Sequence, residues 1–157
     1  MSKIVIRKGA FETNSSSTHA INIFRGSNYD IPEKITIRPG EFGWDCEVLR
    51  YPEDKLSYLY TWCLEYGKEK DYQYRIKSKL EAAGVKEVVF CNGSGWWEDG
   101  YIDHSSNLRE EDLETIFETY FLDFVFNHQS YIETGNDNGD YDVDEDPNAD
   151  WSIYKGN

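Results

Sequence analysis

The chain holds three histidines, His19, His104 and His128, and each stands in or beside a phrase of hydroxyl, carboxylate and amide residues. The first phrase is Glu12-Thr13-Asn14-Ser15-Ser16-Ser17-Thr18-His19 and the second is Asp103-His104-Ser105-Ser106. The third joins His128-Gln129-Ser130 to Thr134-Gly135-Asn136-Asp137-Asn138. Imidazole changes protonation near neutral pH and is the commonest metal ligand, so this company points to acid–base chemistry or to capture of a polar ligand. A nucleophilic reading takes Ser16 as nucleophile, His19 and His104 as bases and Asp103 as the acid that orients one of them. Glu12, Asn14, Ser15, Ser17, Ser105, Thr134, Asn136 and Asp137 then line the ligand. Asp103 and His104 point apart on an extended chain, so a dyad must be made by the fold, as His19 with Asp103 or His104 with Glu12. No Gly-x-Ser-x-Gly elbow occurs, which argues against the common hydrolase arrangement.

A second chemistry suits the same residues. The Ser/Thr run and Gly93-Ser94-Gly95 offer hydroxyls and backbone N–H groups to a phosphate, Arg7, Lys8 or Arg25 supply charge, and Trp96 or Trp97 can stack a base. Neither loop is a Walker A or a dinucleotide fingerprint. For a metal, His19, His104 and His128 with Asp103 or Asp137 would suit zinc, manganese or iron, but their spacing matches no known ligand set. Asp140-x-Asp142-x-Asp144 resembles a calcium loop except that Glu145 stands where glycine is needed. Metal and cofactor are therefore left undetermined.

The elements that must position these residues follow from periodicity. Lys3–Arg7 and Ala20–Phe24 read as strands that could pair as a hairpin, with the serine run as their long connection. Lys34–Arg38 alternates as a third strand, and Glu41–Tyr51 shows no period and reads as an irregular connection. Pro52-Glu53-Asp54 opens a helix with apolar residues at three- and four-residue spacing, ended by Gly67. A second helix covers Asp71 to Ala83 with Gly84 as its cap. Val85–Cys91 is apolar enough on both faces for a central strand. Asn107 caps a long helix whose apolar face thickens at Phe121–Phe126, and Ser130–Thr134 adds an edge strand. The expected fold is α+β, a small, mostly antiparallel sheet packed on about three helices. It forms one domain over residues 1–135, with an acidic tail over 136–157.

Composition bounds the function. Thirty acidic against sixteen basic residues give a net charge of −14, a field that repels nucleic acid and anionic membranes. That field disfavours direct nucleic-acid binding, and none is expected, whereas a basic protein surface would be attracted. Cys46, Cys63 and Cys91 are odd in number and lack CxxC spacing, so neither a disulfide framework nor a zinc knuckle is expected. No apolar run approaches the ~20 residues of a membrane span, and the N-terminus lacks an apolar signal core, so a cytoplasmic location is expected. Aromatic residues make up 16%, which predicts a ring-rich core.

Arg7-Lys8-Gly9-x-Phe11-Glu12-Thr13-Asn14-Ser15-Ser16-Ser17-x-His19 resembles the opening of a group of small proteins encoded by bacteriophages and bacterial prophages. Ile102-Asp103-His104 with its serines, and Ile132-x-Thr134-Gly135-Asn136-Asp137-Asn138, are similar to further phrases of that group. In this chain Ser105 and Ser106 follow the histidine directly, a departure from the I-D-H-x-S phrase. The matched motifs amount to roughly thirty residues. The resemblance implies a phage setting and a shared polar site, and it carries over no catalytic roles.

Two functional expectations follow. In the first, the three phrases converge on one pocket that binds, and in some form processes, a small phosphorylated or nucleotide-like ligand. In the second, the chain is an acidic inhibitor of a basic host protein that binds nucleic acid or serves in defence. Glu110, Glu111, Asp112, Glu114 and the acids from Asp140 to Asp150 would then stand in for phosphates.

Overall fold

The computed structural model describes residues 17–92, 100–103, 108–136 and 143–155. In chain order the elements are β1 (Ser17–Ile23), β2 (Lys34–Ile37), β3 (Glu41–Phe42), β4 (Glu47–Leu49), α1 (Pro52–Leu64), α2 (Glu69–Ala83), β5 (Glu87–Phe90) and β6 (Tyr101–Ile102). They continue with α3 (Glu110–Thr115), a wider π-type turn over Ile116–Tyr120, α4 (Phe121–Phe126), β7 (Tyr131–Asn136) and β8 (Trp151–Lys155). The arrangement is α+β, as composition and periodicity predict. Its main sheet has four strands in the order β4-β7-β1-β8, and every neighbouring pair in it is antiparallel.

Burial explains why β1 is interior. From His19 to Ile23 every residue is buried, so both faces and both edges of the strand must be covered. β7 pairs with one edge from Ser17↔Asn136 to Asn22↔Tyr131, and β8 pairs with the other from His19↔Lys155 to Ile23↔Trp151. The expected hairpin partner Lys3–Arg7 lies outside the described residues, and the edges it would need along His19–Asn22 are already taken. Ile21, Ile132, Ile153 and Leu49 join Leu56, Leu59, Trp62 and Phe124 in one core. That core is ring-rich, with Phe117 stacked between Tyr72 at 5.9 Å and Phe121 at 5.6 Å.

Helix α1 is central rather than one-sided. Lys55, Leu56 and Tyr58 to Cys63 are all buried, because β2, β6, α2 and α4 surround it. Its start is as expected, with Pro52 in the first turn and Glu53 and Asp54 beside the positive helix end. Helix α2 ends on Gly84 at φ 115°, a left-handed position where a side chain would be strained.

Several expectations are corrected. Residues 41–51 hold two short strands: β3 pairs in parallel with β6, and β4 forms one edge of the main sheet. β5 is not central: among the described residues it pairs only with β2 and is no more than half-buried, and the pairing is parallel because the chain crosses over between the two strands through α1 and α2. The last helix begins after Arg109 rather than at Asn107, and its middle turn is widened. β7 is an interior strand, not an edge. The C-terminal stretch is not all tail, since Trp151–Lys155 is a strand of the main sheet. Within the preceding acidic segment, Asp146 N–H donates to Asn22 Oδ1 at 2.8 Å, Tyr131 O–H donates to Asp146 Oδ2 at 3.1 Å, and Val143 is buried. Among the described residues no helix is long and apolar enough to cross a membrane.

Candidate functional site

His19 lies in β1 and is 1% exposed. Its Nε2 is 2.8 Å from the main-chain oxygen of Asp103, and its Nδ1 is 3.1 Å from the Tyr58 hydroxyl. A carbonyl oxygen can only accept, so in the neutral ring Nε2 carries the proton and Nδ1 accepts from the Tyr58 O–H. This settles the tautomer on hydrogen-bond grounds. It also spends both nitrogens, and His19 in this arrangement orders its neighbours and has no lone pair to offer a substrate.

The fold does bring His19 to Asp103, but through the main chain of Asp103. A Ser-His-Asp relay uses the carboxylate to hold the imidazole, and here a carbonyl does so. Asp103 is 8% exposed and its N–H donates to the Phe42 carbonyl at 2.8 Å, which continues the β3–β6 pair by one residue. The ring of Phe42 meets Tyr58 edge-on at 5.2 Å. Tyr58 is wholly buried, and burial pushes its phenol well above the usual tyrosine range, so it stays a neutral donor. Tyr58, His19 and Asp103 thus form one hydrogen-bonded chain from α1 through β1 to the end of β6.

Thr134 faces the same region from β7. Its Cα partners are His19 on β1 and Glu47 on β4, it is fully buried, and its hydroxyl donates to the Asp45 carbonyl at 2.9 Å. Glu47 has its carboxyl raised by partial burial first and by Asp45 and Asp54 second. Ser17 and Asn136 are Cα partners, the one beginning β1 and the other ending β7. Glu12, Asn14, Ser15, Ser16, His104, Ser105 and Asp137 lie outside the described residues. The structure therefore brings together His19, Asp103, Thr134 and the backbones of Ser17 and Asn136. His128 belongs elsewhere: it is exposed, with Tyr51 edge-on at 6.5 Å. No cluster of three or more metal-ligating side chains occurs among the described residues. A groove of about 520 Å³ lies apart from this region, between Gly26–Tyr29, Lys79 and Phe117–Asp123, and holds none of the predicted site residues.

Tyr58 and Lys55 stand outside the three polar phrases. Tyr58 carries no motif signal, because a buried phenol reads as one more core ring. Lys55 is 0% exposed, and its Nζ donates to the carbonyls of Asn127 at 2.9 Å and Ser130 at 3.0 Å. Desolvation, with Arg50 adding to it, lowers its amine to about 7. A signal existed, since Lys55, Leu59 and Trp62 share one helix face at i, i+4 and i+7. The lysine ties α1 to the turn between α4 and β7 by donating to two main-chain carbonyls there. Comparison with protein-family models, with curated proteins and with solved structures returns no match to this chain.

Proposed function

We propose that the chain binds a small phosphorylated or nucleotide-like ligand in a polar pocket at the end of the main sheet where β1 begins and β7 ends. The observation that carries this reading is the meeting of three chain positions. The His19–Asp103 bond brings the end of β6 to β1, and the Ser17↔Asn136 register sets β7 beside it. Each of these positions lies in one of the three polar phrases. In this reading His19 is a positioning residue, held by Tyr58, that fixes where Asp103 and the following His104 start. Ser15, Ser16 and Ser105 supply hydroxyl donors, and Asn14 and Asn136 supply amides, the donor set that a phosphate oxygen accepts from. The setting proposed with it is a phage-encoded accessory protein acting in the cytoplasm of the host cell.

The competing reading, an acidic inhibitor of a basic host protein, draws on the −14 charge. Its helix cluster is partly spent within the molecule: Glu114 takes a two-pronged bond from Arg75 at 2.7 and 2.8 Å, and Glu110 accepts from the Tyr72 hydroxyl at 2.9 Å. Those carboxylates are poor stand-ins for free phosphates, which favours the pocket.

The test is a thermal-shift and calorimetric screen of the full chain against nucleoside mono-, di- and triphosphates and inorganic phosphate. A binder should raise the melting temperature, and Ser16→Ala and His104→Ala should remove that shift at little cost in stability. His19→Ala should instead cost about 2–4 kcal/mol, because it strands the buried Tyr58 hydroxyl and leaves a cavity. If no phosphate compound shifts the parent, the pocket reading fails.

A further inference from the structure

β8 is an edge of the main sheet, and among the described residues no strand pairs with its outer side. Alternate residues of such a strand turn N–H and C=O groups away from their neighbour, which makes an open edge a template for another strand. Natural edges are usually blunted by proline, by a bulge or by charges on the strand itself. Trp151–Lys155 has no proline, its pairing with β1 is regular from Ile23↔Trp151 to His19↔Lys155, and the one charge on the strand, Lys155, stands at its last position. The opposite edge differs in kind: β4 is three residues long and begins with Glu47.

The edge is also firmly held. Trp151 stacks on Tyr120 at 5.7 Å, Ile153 is buried in the core, and Asp150 both donates its N–H to the Ile23 carbonyl and accepts from the Arg25 N–H at 2.7 Å. A template fixed in this way needs no ordering when a strand docks. Tyr154 remains 41% exposed, so the surface at this edge is partly apolar. Charge selects the occupant. The described segment that leads into β8 carries Asp144, Glu145, Asp146 and Asp150, of which Asp146 and Asp150 also accept hydrogen bonds from Tyr131 and Arg25, against Lys155 at the end of the strand, within a chain of net charge −14. A second copy would bring the same acids and the same repulsion, whereas a strand bearing lysine or arginine is attracted.

We infer that β8 is a docking edge for an extended, basic segment of a partner protein, which adds to the sheet as a further strand. This mode takes its affinity from main-chain hydrogen bonds and its selectivity from alternate side chains and charge. It is independent of the phosphate pocket, and either can fail while the other stands.

The experiment uses the full chain and a short synthetic peptide alternating lysine with valine, with a glutamate–valine peptide as comparison. Amide exchange followed by NMR should show the outward-pointing amides of β8 exchanging fast in the free chain and slowing when the basic peptide is present. The acidic peptide should leave them unchanged, and binding should weaken about tenfold between low salt and near-molar salt. Tyr154→Lys should weaken the basic peptide about tenfold and Tyr154→Glu should not, while Tyr74→Lys, at a 73% exposed tyrosine on α2, should do nothing. The inference is overturned if those amides are already protected in the free monomer, which would mean that the chain's own residues, such as Lys3–Arg7, cover the edge. It is equally overturned if light scattering shows a dimer that Tyr154→Lys dissolves, or if the basic peptide binds without slowing exchange in β8.

Discussion

Lys55→Met turns the buried amine into a measurable effect. Lys55 sits in the first half of α1 with no exposed surface, donates to two carbonyls, and has the ring of Phe124 6.0 Å from its ammonium. Its amine falls to about 7 in the folded chain, against roughly 10.4 for a solvated lysine in the unfolded one. Between those two values the unfolded chain holds a proton that the folded chain has released, so stability must rise as pH rises through that window. Each pH unit is worth about 1.4 kcal/mol there, and allowing for partial titration the gain from pH 7.5 to 9 comes to about 2 kcal/mol. A neutral amine keeps two N–H donors, so both carbonyl bonds survive the loss of the proton. Above the window the trend reverses, since burial raises the phenols of Tyr58, Tyr29 and Tyr72 while their unfolded counterparts ionise near 10. The assay is urea unfolding followed by tryptophan fluorescence at several pH values, on the parent and on Lys55→Met, which keeps the stem and removes the titrating group. The parent should gain about 2 kcal/mol relative to the variant between pH 7.5 and 9. Parallel curves for the two proteins would mean that Lys55 stays charged when folded, and the argument from burial would be wrong.

Two glycines and one arginine give further tests. Gly100→Ala should destabilise by about 2–4 kcal/mol in urea unfolding, because φ is +76° and a Cβ would lie 2.6 Å from the Gly40 carbonyl oxygen. Gly67→Ala, at φ +69° in open space, should cost only about 1 kcal/mol, and a similar loss at both sites would remove the steric argument. Arg75→Ala breaks the two bonds to Glu114 and the stacking of the guanidinium 4.3 Å over Phe117. Arg75 holds the Glu114 carboxyl below the usual range, so that pair stabilises above the unfolded carboxylate value and its contribution fades as pH falls through the lower folded one. The parent's advantage over Arg75→Ala should therefore be larger at pH 6 than at pH 3, and a constant gap would refute it.

What the chain alone determined is local. Ala20–Ile23, Lys34–Ile37, the proline-led start of α1 and the Gly84 end of α2 are written in alternation, helical spacing and backbone freedom, which act over a few residues. The three polar phrases were visible in the same way, by composition. Tertiary structure decided what these signals cannot carry. β1 became interior because Ser17–Ile23 found partners more than a hundred residues away in β7 and β8. The pairing of β2 with β5 and of β3 with β6 joins segments more than fifty residues apart, across the stretch that holds α1 and α2. His19 looked like a free base because its type is legible and its partners are not: Tyr58 and the Asp103 carbonyl meet it only after α1 and β6 pack against β1. Lys55 has partners equally distant in sequence, the carbonyls of Asn127 and Ser130. Its low amine value is a property of the desolvated space between α1, α4 and β7, and that space exists only once long-range packing has closed it.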